Sequence, residues 1–354
     1  MGDPGGIGPE TIVGAWACAP VHECCRPVVI GHPEIIRRAV KLLGSPARVQ
    51  EVASPDEAGA SVDLIPCVPC GSDEALAAPL GAVDRRGGQA AYEAVIEAAR
   101  LALAGHVDGM VTAPLNKAAL WAAGHEYPGH TELLAELCGV NDFAMMLYLS
   151  PPEGWHALSM DAKGVEHHQH MRPGLGVVHV TLHMALRDVF GNLSTEAIVA
   201  KCRLADTVMR RLLGRPPRIG VCALNPHAGE QGLFGDEETT IIAPAIEQAR
   251  QAALDVTGPL PADTLMVKAR DGAFDAVVAM YHDQGHIALK LLGMHRAVNV
   301  TLGLPIVRTS PAHGTAYDIA WQGRAESGGM IEAIRVAAAL SRVSHKSEIR
   351  STKL

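Results

Sequence analysis

The sequence predicts an α/β fold with a largely parallel sheet. Short apolar runs of strand length alternate along the chain with longer stretches of helical periodicity. The 354 residues are 48% apolar and 19% charged, a balance that builds a core and excludes a disordered chain. The length admits two ordinary domains or one large α/β domain.

The chain opens on a glycine-rich turn, Gly2-Asp3-Pro4-Gly5-Gly6-Ile7-Gly8, that runs into a helix at Pro9-Glu10. Proline at the first helical position with an acidic neighbour is a good helix start. Such a turn normally follows a strand, and none precedes it here. Strands are then expected at Pro27–Ile30, Gly109–Thr112, Ala144–Leu149, Val177–Leu182, Arg218–Leu224, Ala276–Met280 and Ala297–Thr301, and helices at Gln89–Ala104, Thr131–Leu137, Thr195–Leu213, Ile241–Leu254 and Gly329–Ser341. Pro151–Gly174 breaks the rhythm. It is polar, rich in Gly and Pro, and holds His156, His167, His168 and His170, which reads as a surface excursion or a functional flap.

Composition excludes several classes of function. A net charge of −8 gives no reason to expect nucleic acid. No run approaches the ~18 apolar residues of a membrane span, and the first residues do not form a signal peptide. The eight cysteines are scattered, with one isolated CxxC at Cys67–Cys70, so they read as reduced thiols of a cytoplasmic protein. Histidine is the outlier: its 17 copies outnumber Trp, Phe and Tyr combined. This residue ligates metals and moves protons near neutral pH.

Several strands run into polar residues, where open α/β sheets bind their ligands. Val177–Leu182 delivers His183, Arg218–Leu224 runs into Asn225-Pro226-His227-Ala228-Gly229-Glu230, and Ala276–Met280 runs into Tyr281-His282-Asp283-Gln284-Gly285-His286. Singly, each histidine reads as a hydrogen-bonded strand-end residue; together, with their glycine-rich flanks, they suggest a divalent-metal site. Lys290, Asn299 and Arg308, with His130 and Thr131, form a cradle suited to phosphate or carboxylate, although Thr131 also reads as a plain helix cap. Neither Gly2–Gly8 nor His313–Ala316 is a GxGxxG turn after a strand, so the dinucleotide fingerprint is absent. Unaided, the residues describe a metalloenzyme that handles phosphate or carboxylate.

At these motifs the chain resembles the 4-hydroxythreonine-4-phosphate dehydrogenase family. The matching segments are GDPGGIGPE (2–10), VTAPLNKAAL (111–120), YPGHTELLAE (127–136), HVTLH (179–183), LNPHAGEQGLFGDEE (224–238), GPLPADT (258–264), AMYHDQGHIALKLLG (279–293) and NVTLGLPIVRTSPAHGTAYDIAW (299–321), in order and over nearly the whole chain. The resemblance implies the two-domain fold of isocitrate and isopropylmalate dehydrogenases, with α/β/α layers and a non-Rossmann NAD site. It implies a first domain of residues 1–128 with 300–354, and a second of 129–299 that carries the 151–174 insertion. It also implies that a strand precedes the glycine turn, so that Met1 is an internal methionine or a miscalled start.

The family's site residues carry over position by position. His183, His227 and His282 match ligands of one divalent ion (Zn, Mg, Mn or Co) assembled across a homodimer interface. His130, Thr131, Lys290, Asn299 and Arg308 match substrate-binding residues. His313, Gly314, Ala316 and Asp318 match the adenine side of a site for NAD or NADP. Lys290 is implied as a general acid–base or as a partner for an anionic group, and Asp283 as an orienter of a histidine or a stabiliser of the nicotinamide side. The implied reaction oxidises the C3 hydroxyl of a phosphorylated four-carbon acid and then releases CO2. YPGHTELLA, GLFGDEE and DIAW look closer to relatives acting on 4-phospho-D-threonate or 4-phospho-D-erythronate. A related terephthalate dihydrodiol dehydrogenase branch is disfavoured by Gly129-His130-Thr131. Competing readings are a phosphate acyltransferase and a histidine-rich metal-storage protein.

Overall fold

A computed structural model describes residues 1–351 except 152–157, 161–165 and 169–173. It divides into two units, residues 1–141 with 304–354 and residues 142–303. These boundaries differ from those expected at 128/129 and 299/300. The helix His130–Leu137 belongs to the first unit because Leu133 and Leu134 sit in one core cluster with Val95, Ala99 and Met110. The strand Ala297–Leu302 stays whole in the second, pairing along its length with Ala144–Leu149.

In unit 2 the strands lie in the order Val256–Leu260, Ile219–Cys222, Ala276–Ala279, Leu175–His179, Ala144–Leu149 and Ala297–Leu302. The first four run parallel, with Val277 opposite both Gly220 and Val177, and the last two join antiparallel. Ile219, Val277 and Val177 are fully buried, as parallel strands covered on both faces require. Helix Thr195–Leu213 forms with the bounds expected. Ser194 caps its start by accepting from the Ala197 N–H, and Gly214 ends it at φ 69°.

The base of this sheet is pinned by Asp275, which is fully buried and accepts from both Arg215 and Arg218. Burial alone would raise its pKa, but the two guanidinium groups hold it down to about 2. A carboxyl depressed from 3.8 contributes stability that is complete above about pH 4 and is lost as pH falls towards 2. Asp275→Asn is therefore expected to lower unfolding free energy by about 2 kcal/mol at pH 7. It should also flatten the acid limb of stability against pH, checked by urea titration between pH 2 and 7.

In unit 1, Leu64–Pro69 lies between Val29–Gly31 and Arg48–Glu51, all parallel, while Met110–Val111 pairs in parallel with Arg308–Pro311. The helix expected from Gln89 begins at Arg85, capped by Asp84, and includes Gly87 and Gly88. A Cβ at Gly88 would collide with the Ala119 carbonyl of the neighbouring helix Lys117–Ala122. The missing side chain at Gly88 is what lets the two helices pack closely here. The Met1 amine donates to the Ile30 carbonyl at 2.9 Å, and the Asp3 N–H donates to Pro114 O at 3.0 Å. Within 151–174, Leu158–Met160 and Glu166–His168 pair antiparallel; the side chains of His156, His167, His168 and His170 lie outside the described residues. All eight cysteines are free thiols. Among the described residues no helix is long and apolar enough to cross a membrane.

Candidate active site

The parallel register of unit 2 sends the loops bearing His183, His227 and His282 out of one edge of the sheet, from the carboxyl ends of three neighbouring strands. His282 opens the helix His282–Gly293, where sequence reasoning had seen only a polar loop. Gln284 fixes this helix start, accepting from the Met280 N–H and donating to Ala223 O, both at 2.7 Å. His282 Nδ1 lies 2.7 Å from Asp283 Oδ1, so Asp283 orients the ring and leaves Nε2 with its lone pair. Its ring lies flat on that of His286, centroids 3.7 Å apart, and 5.9 Å from that of His183. His282, His286 and Lys290 recur every four residues and so share one helix face. Behind them His286 Nδ1 meets His179 Nε2 at 3.1 Å. Burial, reinforced by the neighbouring imidazoles, depresses these two pKa values to about 4 and about 3, so both rings are neutral. Asn299 sits half-buried on its strand opposite Leu147.

His227 stands apart. It is exposed, on a loop where five consecutive residues from His227 to Gln231 adopt left-handed φ values between 44° and 78°. Each non-glycine residue in that region costs about 1–2 kcal/mol. The buried Glu238 carboxylate holds the loop, accepting from the Leu224 and Asn225 N–H groups at 2.8 and 2.7 Å and from the Asn225 amide at 3.0 Å. Among the described residues, no three His, Cys, Asp or Glu side chains are gathered to hold a metal ion. The donor chemistry of three imidazoles suits a divalent ion.

Unit 1 holds the other candidates. His130 and Thr131 open the helix His130–Leu137. His130 Nε2 is buried and has no partner among the described residues. Burial first, then the Arg308 charge, keeps this ring's pKa well below the usual value. Arg308 is buried, with Nη2 and Nε donating to Thr112 Oγ1 at 2.6 and 3.2 Å, and burial lowers its pKa to about 10. Lys117, which the sequence showed beside Asn116, reaches this place too, since its Cε lies 4.0 Å from where a Gly129 Cβ would stand. The two glycine-rich segments meet: Ile7 N–H donates to Thr315 O at 3.0 Å, and a Cβ at Gly6 would strike Thr315. In the same loop His313 Nδ1 contacts Gly314 O, while its buried Nε2 lacks a partner among the described residues, and Ala316 has φ 41°. Gly314 and Asp318 are exposed. A loop with an orphaned buried nitrogen and exposed backbone fits a cofactor.

The family profile described as "Pyridoxal phosphate biosynthetic protein PdxA" matches residues 23–337. The chain belongs to the PdxA family. It is 45% identical to the 4-hydroxythreonine-4-phosphate dehydrogenase of Geobacter metallireducens, over 97% of this chain and 94% of that protein. It is 44% identical to the D-threonate 4-phosphate dehydrogenase of Salmonella typhimurium, over 96% and 97%. The crystal structure of 4-hydroxythreonine-4-phosphate dehydrogenase from Klebsiella pneumoniae superposes with a TM-score of 0.81 at 42% identity, covering 96% of this chain and 98% of that one. The PdxA-family chain is thus an oxidoreductase, and the acyltransferase and metal-storage readings fall away.

Sequence reasoning missed the supports of this PdxA-family site. Glu238 was quoted only as the end of a motif, and its signal was the last of three consecutive carboxylates, 13 residues beyond Asn225. Glu238→Ala would leave buried N–H groups unpaired and is expected to cost about 2–4 kcal/mol in urea unfolding. It should also make the 224–232 amides exchange faster than those of the distant helix Thr195–Leu213.

Proposed function

We propose that this protein catalyses NAD-dependent, divalent-metal-dependent oxidation of the C3 hydroxyl of a 4-phosphorylated four-carbon hydroxy acid, followed by decarboxylation, of the 4-hydroxythreonine-4-phosphate dehydrogenase type. The observation that carries this reading is the delivery of His183, His227 and His282 from one sheet edge in a chain 45% identical to an enzyme of that name. The fold we propose is the two-domain isocitrate/isopropylmalate dehydrogenase type with a non-Rossmann NAD site.

In this reading His183, His227 and His282 hold the ion, and Asp283 fixes the ring of His282. When bound, the ion supplies Lewis acidity at the C3 oxygen, and NAD (or NADP) accepts the C3 hydride. Lys290, two turns along from His282, holds the proton released from the C3 hydroxyl at Nζ. Arg308, with His130, Thr131 and Asn299, binds and orients the anionic groups of the substrate. The backbone of His313, Gly314 and Ala316, with Asp318, takes the adenine side of the cofactor. Loss of the C3 hydride would leave the hydroxyl proton on Lys290 Nζ, and the resulting β-keto acid would lose CO2.

A second copy of the chain completes the site. Large apolar side chains surround the histidine loops in the open: Leu233 is 73% exposed and Leu291 83%, with Phe190, Ile287 and Met294 also exposed. Ile287, Leu291 and Met294 recur at helical spacing and form a stripe suited to a homodimer seam. The working compartment we propose is the cytoplasm.

The test is NAD reduction by purified protein with 4-phosphohydroxy-L-threonine and with 4-phospho-D-threonate, each with and without a strong chelator. Metal-dependent turnover of either supports the reading, and the faster substrate assigns the C2 group as amino or hydroxyl. No turnover of either by folded, metal-loaded protein would sink it, and turnover indifferent to chelator would remove the metal.

A further inference from the structure

His282 opens the helix His282–Gly293 with its side chain 35% exposed. The carboxylate that engages its Nδ1 is more open still, since the Asp283 side chain is 70% exposed. A single contact of this kind is weak in water. It also holds only one edge of the ring and leaves the plane free to rock about that edge. The plane is set by a second contact. The buried ring of His286, one turn along the helix, lies 3.7 Å from that of His282 at an interplanar angle of 10°.

His286 is in turn tied to the sheet. Its Nδ1 meets Nε2 of His179, the last residue of the strand Leu175–His179, at 3.1 Å. The sheet stays ordered past this point, because the Val180 and Thr181 N–H groups still donate to Ala279 O and Met280 O at 2.8 and 3.2 Å. Helix and strand approach closely between the two rings. A Cβ at Gly285 would stand 2.5 Å from His179 Nε2 and 2.6 Å from Val177 Cγ1. Packing alone does not select two imidazoles here. The strand is otherwise Leu175, Gly176, Val177 and Val178, all buried. A buried polar ring costs about 1–3 kcal/mol wherever its hydrogen bonds are incomplete. Leucine at 179 and 286 would fill the space without that cost. Leucine cannot offer a flat face towards His282 together with a hydrogen-bonding edge towards the sheet.

We propose that His286 and His179 are positioning residues for His282: His286 fixes the plane of the ligand ring by stacking, and His179 locks His286 to the strand. The proposal rests on the reading of His183, His227 and His282 as ligands of a divalent ion. The lone pair of an imidazole nitrogen lies in the plane of its ring, so a ring that rocks turns its lone pair away from a fixed ion. Asp283 sets the rotation of His282 within its plane, and the stacked pair sets the plane itself. The rigid sheet is thereby coupled, through two buried side chains, to a ligand that stands half in solvent.

The test uses the full-length protein freed of metal and titrated with Co2+, read by visible absorption, whose bands follow the arrangement of the ligands. His286→Ala is expected to weaken Co2+ binding about 10- to 100-fold and to shift the bands. His179→Leu, which keeps the volume and removes the lock, should weaken binding about tenfold. His286→Phe restores a flat face and should recover most of the affinity that His286→Ala loses. Parental affinity and parental bands in both His286→Ala and His179→Leu would overturn the proposal. So would a folded His286→Phe variant as weak as His286→Ala. Should His286→Ala fail to fold, His179→Leu decides alone, and parental binding in it overturns the proposal. A parent protein that binds no Co2+ would instead overturn the ligand reading, and the proposal with it.

Discussion

Alanine in place of His282 is expected to leave the protein folded and catalytically dead. The ring is a third exposed and lies on the surface of His286, so its removal opens no cavity and should cost less than about 1 kcal/mol of stability. Asp283 engages its Nδ1, and in the proposed function the loss of this one of three ligands would remove the Lewis acid from the reaction. A barrier rise of several kcal/mol corresponds to a fall in kcat of roughly 10³-fold or more. Elemental analysis of the purified variant should show substoichiometric metal, while its melting temperature stays within a few degrees of the parent. Parental turnover in the variant would remove His282 from the site. Full metal occupancy with lost turnover would move its role from ligand to some other contact.

The second large effect is expected at Arg308. Its guanidinium is buried and tethered to Thr112 through Nη2 and Nε, which leaves the planar fork fixed in direction. Arg308→Lys keeps a cation but loses the fork, and KM for the phosphorylated substrate should rise about 10- to 100-fold with a smaller change in kcat. The variant should also acquire a pH dependence that the parent lacks. Burial lowers Arg308 to about 10, so it remains charged throughout the assay range. The same burial acting on a lysine, whose ordinary pKa is about two units lower, brings its neutralisation down towards the assay range. KM of the Lys variant should therefore climb between pH 7 and 9 while that of the parent stays flat. A flat KM in the variant would show that the charge of residue 308 does not face the substrate.

Much of the layered plan was legible because buried parallel strands and amphipathic helices write strong periods. Ala144–Leu149 and Thr195–Leu213 have the bounds expected from pattern alone. Errors fell where tertiary contacts override local signals. The helix at Arg85 was hidden by Gly87 and Gly88, whose missing side chains serve a neighbour more than thirty residues away. The helix at His282 was hidden by polar residues whose partners, such as Ala223 O, come from another strand. The strand expected at Val177–Leu182 lies at Leu175–His179, because Gly176 and His179 pair with Ala276 and Ala279 and so fix its register. At the site, residue types at strand ends singled out His183, His227 and His282, and the structure carries all three out of neighbouring strands. Nothing in the sequence revealed that His227 rides on a left-handed turn, because Ala228, Glu230 and Gln231 carry no sign of it. Glu238 anchors the approach to that turn at Leu224 and Asn225.

Unit 1 is assembled from two stretches of chain separated by the whole of unit 2, and this sets a timetable for the nascent protein. The strand Met110–Val111 pairs with Arg308–Pro311, and Met330 packs in a core cluster with Ala15 and Ala113. At about 5–20 residues per second, a ribosome needs roughly ten to thirty seconds to travel from residue 141 to residue 311. Throughout that interval the early part of unit 1 waits without its closing strand and helix, while the six strands named above for unit 2 all lie within residues 142–303. Unit 2 is therefore free to fold first. The amino-terminal segment, although made earliest, is the last to meet its closing strand.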